Sequence, residues 1–213
     1  MLINQTLDKL EALGLFGMVL GVREQLESSQ YLSLSFDERL GLLVDREAEA
    51  RDSRRLALRL KAAKLRQEAS VEDIDFRAPR GLDRSVIMSL AQANWVAAHH
   101  NLLITGPTGA GKSFIGCALA HAAIRRGHTA LYLRTPRLLA DLALSRGDGR
   151  YVRRLAYLAK IGVLSVGRFS VDATQRHRSQ GSAGGHRRSQ PGALDAGHQP
   201  TAGRILACLA GCG

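Results

Sequence analysis

One stretch, Asn101–Ser113 (NLLITGPTGAGKS), limits what this chain can fold into more than any other. Leu102, Leu103 and Ile104 form a short apolar run of the kind that makes a buried strand. Gly106-Pro107-Thr108-Gly109-Ala110-Gly111-Lys112-Ser113 follows and fits the pattern G-x-x-x-x-G-K-[ST]. From Ser113 to Arg126 the apolar residues Ile115, Leu119, Ala122 and Ala123 recur at helical spacing, and Gly127 is a natural stop. Strand, glycine-rich loop and helix thus stand in the order that wraps successive backbone N–H groups round a phosphate. Glycines allow the unusual dihedrals and leave room for the ligand. The helix offers its unpaired N-terminal N–H groups and the positive end of its dipole. Lys112 is placed to reach β- and γ-phosphates, and the Ser113 hydroxyl to ligate Mg²⁺.

The residues after the loop extend this pattern. Thr129–Arg134 reads as a strand, Pro136–Arg146 as a helix with proline in its first turn, Tyr151–Lys160 as a helix and Ile161–Val166 as a strand. Strands alternating with helices imply an α/β fold with a parallel sheet. A length of 213 residues suits one domain with a small partner, and 45% apolar residues excludes a collagenous or wholly disordered chain. No apolar run is long enough to span a membrane. Met1–Leu20 lacks a basic leader and is interrupted by Asp8, Lys9 and Glu11. With only three cysteines, this points to a reducing, cytoplasmic setting. Cys117 reads as a small buried hydrophobe, and Cys208 with Cys212 makes a poor zinc site.

Before the loop the sequence is helical. Leu7, Leu10, Leu13, Met18, Val22 and Leu26 keep helical spacing over 4–28, with a break expected near Gly14 and Gly17. Ser35 and Glu38 form a capping box for a long helix expected over Phe36–Glu68. Its second half is basic, and Arg51, Arg55 and Arg59 share a face that can track a phosphate backbone or simply be solvated. A linker at 71–81 precedes one helix over 82–100, capped by Asp83, with Trp95 on its apolar side. The expected organisation is therefore a helical domain at 1–70, a nucleotide-binding core at 71–165 and an aberrant tail at 166–213.

These residues resemble the IstB-like ATP-binding proteins, transposition helpers of a bacterial insertion-sequence class. LSFDERLGLLVDRE (34–47), DIDFRAPRGLDR (73–84), NLLITGPTGAGKS (101–113) and PRLLADLALSRGDGRY (136–151) carry the resemblance. It implies an AAA+ ATPase core behind an N-terminal helical domain, similar to the DnaC helicase loaders and DnaA. It also implies ATP and Mg²⁺ as cofactors, DNA and a transposase as partners, and assembly into a homo-oligomer. In such a family Arg51, Arg54, Arg55 and Arg59 become candidates for DNA or partner contact, as do Arg134, Arg137, Arg150, Arg153 and Arg154.

The resemblance breaks after the third strand. The family ends that strand in Asp-Asp followed by an aromatic residue, acids that hold Mg²⁺ and polarise the attacking water. Here Val166-Gly167-Arg168-Phe169 stands instead, with Asp172 too far along to substitute. Gly-Arg-Phe can be coded GGA CGA TTT, and reading one base later gives GAC GAT, which is Asp-Asp. Gly181–Gln190 and His198–Gly203 likewise hide family-like strings in the shifted frame. A frameshift between about Gly162 and Ser165 is therefore inferred. It predicts a sheet cut after about three strands, a disordered tail, marginal folding, and phosphate cradling without hydrolysis. Of the net charge of +11, the last 48 residues hold 6 basic and 2 acidic residues, or 6 − 2 = +4, and only the remaining +7 speaks to nucleic acid. Two other readings are a DnaC-like helicase loader and a non-enzymatic DNA-binding fragment. The 34–47 segment favours the transposition branch over the loader.

Overall fold

The structure is a computed structural model and describes residues 2–78, 81–167 and 204–208. The chain divides into two compact units, Met1–Lys61 and Ala62–Gly213.

In the first unit, α1 (Leu2–Ala12) and α2 (Phe16–Glu27) are separated at residues 13–15, where the sequence predicts a break. A 3₁₀ turn (Ser29–Ser33) leads into α3 (Phe36–Ala63). The capping box forms: Ser35 N–H donates to Glu38 Oε2 at 2.8 Å and Glu38 N–H donates to Ser35 Oγ at 3.3 Å. These contacts hold the Glu38 carboxyl below its ordinary pKa. α2 has no side-chain cap of its own at Leu15. Glu47 of α3 supplies one, its Oε2 accepting from Gly17 N–H at 2.7 Å and Met18 N–H at 3.2 Å. A carboxylate at a helix N-terminus is favoured by both the free N–H groups and the dipole. Arg51 Nε donates to the other oxygen at 2.7 Å; that bond first, and the two backbone donors after it, hold the Glu47 carboxyl below its usual range.

α3 ends at Ala63, short of the expected Glu68, with Lys64 in the left-handed region at φ +48°. The turn there redirects the chain, so that Leu65, Ala69 and Val71 pack into the core of the second unit.

The second unit carries α4 (Arg84–Ala91), α5 (Asn94–Ala97), β1 (Leu102–Ile104), α6 (Lys112–Arg125), β2 (Ala130–Arg134), α7 (Thr135–Gly147), α8 (Tyr151–Ala159), β3 (Val163–Gly167) and β4 (Arg204–Cys208). Asp83 caps α4, accepting from Ser85 N–H at 2.7 Å. The single helix expected over 82–100 is instead two, broken at Ala93 (φ +58°). The break brings Trp95 into the core, 8% exposed, with its indole N–H donating to Leu90 O at 3.0 Å.

The sheet is parallel throughout, in the order β1-β4-β3-β2. β2 pairs with β3 in the register Ala130↔Val163 to Arg134↔Gly167. Side chains of β2 alternate across it: Tyr132 joins the core cluster of Ile115, Cys117, Ala118 and Leu119 from α6, while Leu131 joins that of Leu158, Ile161 and Leu164. Helices therefore cover both faces, as a parallel sheet requires.

β4 corrects the expectation of a sheet cut after three strands. It lies between β1 and β3, so those two strands are not neighbours. RILAC is a short run without polar–apolar alternation, which periodicity cannot distinguish from loop when it follows a Gly- and Ser-rich stretch. The expected disorder of the tail and the positions of Arg168, Phe169 and Asp172 lie outside the described residues.

Candidate nucleotide site

The phosphate loop runs from the end of β1 to the start of α6, at the carboxyl edge of the sheet, where ligands of α/β folds bind. α6 is held there by its burial: Ile115, Cys117, Ala118, Leu119, Ala120, Ala123 and Ile124 are all buried. Its N-terminal turn consequently faces the loop. Gly109 and Gly111 adopt φ +89° and +83°, a region that side chains with a Cβ rarely enter. Ala110 N–H closes a turn onto Pro107 O at 3.3 Å, and Gly111 precedes the helix without a side-chain cap. An uncapped N-terminus leaves its N–H groups to a ligand. Gly106, Pro107, Thr108, Gly109, Ala110, Gly111, Lys112 and Ser113 thus form one contiguous loop and first helical turn between β1 and the body of α6.

The ammonium of Lys112 bridges the loop, donating to Gly106 O at 2.7 Å and Pro107 O at 2.6 Å. It is therefore held against the loop that it follows. The hydroxyl of Ser113, in the first turn of α6, lies 3.5 Å from Nη1 of Arg66. Sequence reasoning counted Arg66 among the charges of a long helix, because only the turn at Lys64 brings it to the loop.

The end of β3 has no acid at position 167. Thr135 Oγ1 donates to Gly167 O at 3.2 Å, and a Cβ built on Gly167 would collide with the Tyr132 phenol, 2.7 Å from its Cζ. Among the described residues no group of three or more His, Cys, Asp or Glu could hold a metal ion. Ser113 and Thr108 are then the described hydroxyls of the motif, neither of them an acid, and the residues do not fit the two-acid arrangement.

The candidate DNA-contacting arginines fall into separate groups. Arg51 is paired with Glu47, Arg55 with Asp52, and Arg54 lies over the Phe16 ring at 5.1 Å. Arg59 keeps its place one turn further along α3. In the second unit Arg150 pairs with Asp148, and Arg153 stands on α8. Arg134, Arg137 and Arg154 come together on a cavity of about 790 Å³. Arg125, in the last turn of α6, pairs with Glu72 at 2.7 Å.

Strand, glycine loop and helix over a parallel sheet define a P-loop nucleotide-binding protein. The model of the IstB-like ATP binding protein family matches residues 8–178, and the chain belongs to that family. It is 49% identical over 164 residues to the insertion sequence ATP-binding protein y4pL of Sinorhizobium fredii, covering 77% of this chain and 67% of that one. It is 47% identical over 178 residues to the ATP-binding protein of insertion sequence IS1162 from Pseudomonas fluorescens, covering 83% and 77% respectively. Among solved structures it is similar to DnaI, with 25% identity and a TM-score of 0.40 over 50% of this chain and 57% of that one. No helix among the described residues is long and apolar enough to cross a membrane.

Proposed function

We propose that this chain is an ATP-binding helper of DNA transposition that acts with a transposase on DNA, and that it binds ATP without hydrolysing it. The observation that carries the reading is the contrast within one site. The cradle 106–113 is complete, with Lys112 over it, whereas position 167 is a glycine with no room for a carboxylate. Binding ATP needs the first set of groups. Hydrolysis needs an acid at the end of the strand to orient and polarise water. Bound ATP would supply the triphosphate; the loop N–H groups, the α6 N-terminus and Lys112 would hold it.

The DNA-facing part rests on the family and on the basic groups of α3 and of α7–α8. Salt-dependent binding of duplex DNA by the full chain tests it. Assembly into a homo-oligomer belongs to the same reading and is checked by sedimentation with ATP and DNA. The frameshift origin is tested on the gene: the next reading frame should spell an acidic pair at codons 167 and 168.

The decisive protein experiment measures ATP binding and turnover together. ATP binding that is lost in Lys112→Ala, with no phosphate release in Mg²⁺, is expected. Magnesium-dependent turnover that disappears in Lys112→Ala would refute the hydrolysis-deficient reading. A folded protein with no affinity for ATP would make the loop a relic.

A further inference from the structure

The loop has a cationic neighbour that its motif does not supply. Arg66 follows the turn at Lys64, and its guanidinium reaches to 3.5 Å from the Ser113 hydroxyl. Arg66 also borders a cavity of about 790 Å³ lined by Lys64, Arg134, Arg137 and Arg154. Asp141 is the one acid on that lining, and it already meets Arg154 at 3.4 Å. Lys64, Arg134 and Arg137 have no ion-pair partner among the described residues. A concave surface lined by one sign of charge concentrates ligands of the other sign. Guanidinium groups bind phosphate oxygens through two parallel hydrogen bonds.

A divalent ion fits this place poorly. Mg²⁺ requires near-octahedral oxygen donors, commonly carboxylates beside the phosphates. Ser113 offers one hydroxyl, Gly167 offers no side chain, and a guanidinium stands where the ion would approach that hydroxyl. Two cations would compete for one position.

We propose that Arg66 is a phosphate ligand of the nucleotide site and neutralises triphosphate charge there. Nucleoside triphosphate binding by this chain is then independent of divalent cations. The inference rests on the P-loop reading above and assigns the charge compensation within it.

The test is equilibrium binding of a fluorescent ATP analogue to the full chain, in Mg²⁺ and in EDTA. Wild-type affinity should be equal in the two within about threefold, and inorganic tripolyphosphate should displace the analogue in both. Arg66→Ala, an exposed position, should weaken binding in EDTA by about tenfold, and Arg66→Lys by less, since it keeps charge but loses the fork. Circular dichroism confirms that each variant is folded. Binding that needs Lys112 but falls more than about tenfold in EDTA, or that ignores Arg66→Ala, overturns this inference and leaves the P-loop reading standing. A folded chain that binds no analogue in either buffer overturns the P-loop reading itself, and this inference with it.

Discussion

Three glycines in the first unit should respond to the same substitution with different signs. Gly17 lies in α2 where that helix crosses α3. A Cβ there would sit 2.6 Å from Arg46 O, 2.7 Å from Glu47 Cα and 2.9 Å from Ala50 Cβ. Comfortable carbon contacts begin at about 3.5 Å, so α2 must withdraw by roughly 1 Å. Two of the three atoms are backbone, which cannot rotate aside. Overpacking of this kind costs about 1–3 kcal/mol. Replacing glycine by alanine inside a helix contributes about 1 kcal/mol in the other direction. Gly41 lies in α3 with nothing within 4 Å of a Cβ, so only the favourable part applies. Gly21 is intermediate: the nearest atom is Leu43 Cδ2 at 2.7 Å, the end of a side chain that can turn.

Gly41→Ala should therefore stabilise the helical unit by about 1 kcal/mol, and Gly17→Ala should be neutral to destabilising by about 2 kcal/mol. The propensity gain cancels in the difference, which isolates the packing cost of about 1–3 kcal/mol. Gly21→Ala should fall between. Urea unfolding of the full chain followed by far-UV circular dichroism reads this; the single tryptophan, Trp95, reports on the other unit. Equal stability of Gly17→Ala and Gly41→Ala would refute the close approach of α2 to α3.

Other expectations are as direct. The Glu47 carboxyl has a lowered pKa in the folded chain, so its charged form stabilises the fold above its unfolded pKa and that contribution is lost as pH falls through the folded value. The unfolding midpoint of Glu47→Gln should lie below wild type at pH 7 and converge with it in acid; a gap that persists in acid would contradict the cap. Leu119→Ala, at 1% exposure in the sheet-facing core of α6, should cost about 2–5 kcal/mol by thermal or urea unfolding. Gly167→Asp should lower stability by about 1–3 kcal/mol through collision with the Tyr132 ring and should not create ATP turnover alone. Pairing it with Tyr132→Ala should relieve the collision, and a double variant no more tolerant of the aspartate than the single one would count against it. Cys117, fully buried, should react with a thiol reagent only on unfolding, as read by mass spectrometry of its peptide.

Much of the fold was legible because its signals are local. The capping box at Ser35 and Glu38, the Asp83 cap and the strand–loop–helix at 101–126 each depend on residues a few positions apart. Helix ends were less legible: α3 stops early and α4–α5 break at Ala93, where turns at Lys64 and Ala93 let Leu65, Ala69 and Trp95 pack inward. Tertiary packing overrides propensity at such points. β4 was missed for a related reason, since a parallel strand takes its meaning from neighbours and not from its own period.

By itself, the sequence determined the glycine-rich loop between β1 and α6, the lysine that opens α6 and the absence of an acid at position 167. These follow from residue type and spacing, since a phosphate needs adjacent N–H donors and a carboxylate cannot be supplied by glycine. Tertiary structure alone decided that Glu47 caps a helix 30 residues away, that Tyr132 fills the space beside Gly167, and that Arg66 stands at Ser113, 47 residues from it. Such pairings are set by how helices and strands pack. A turn at one residue, Lys64, separates a solvated arginine on a long helix from a cation beside Ser113 and the glycine-rich loop.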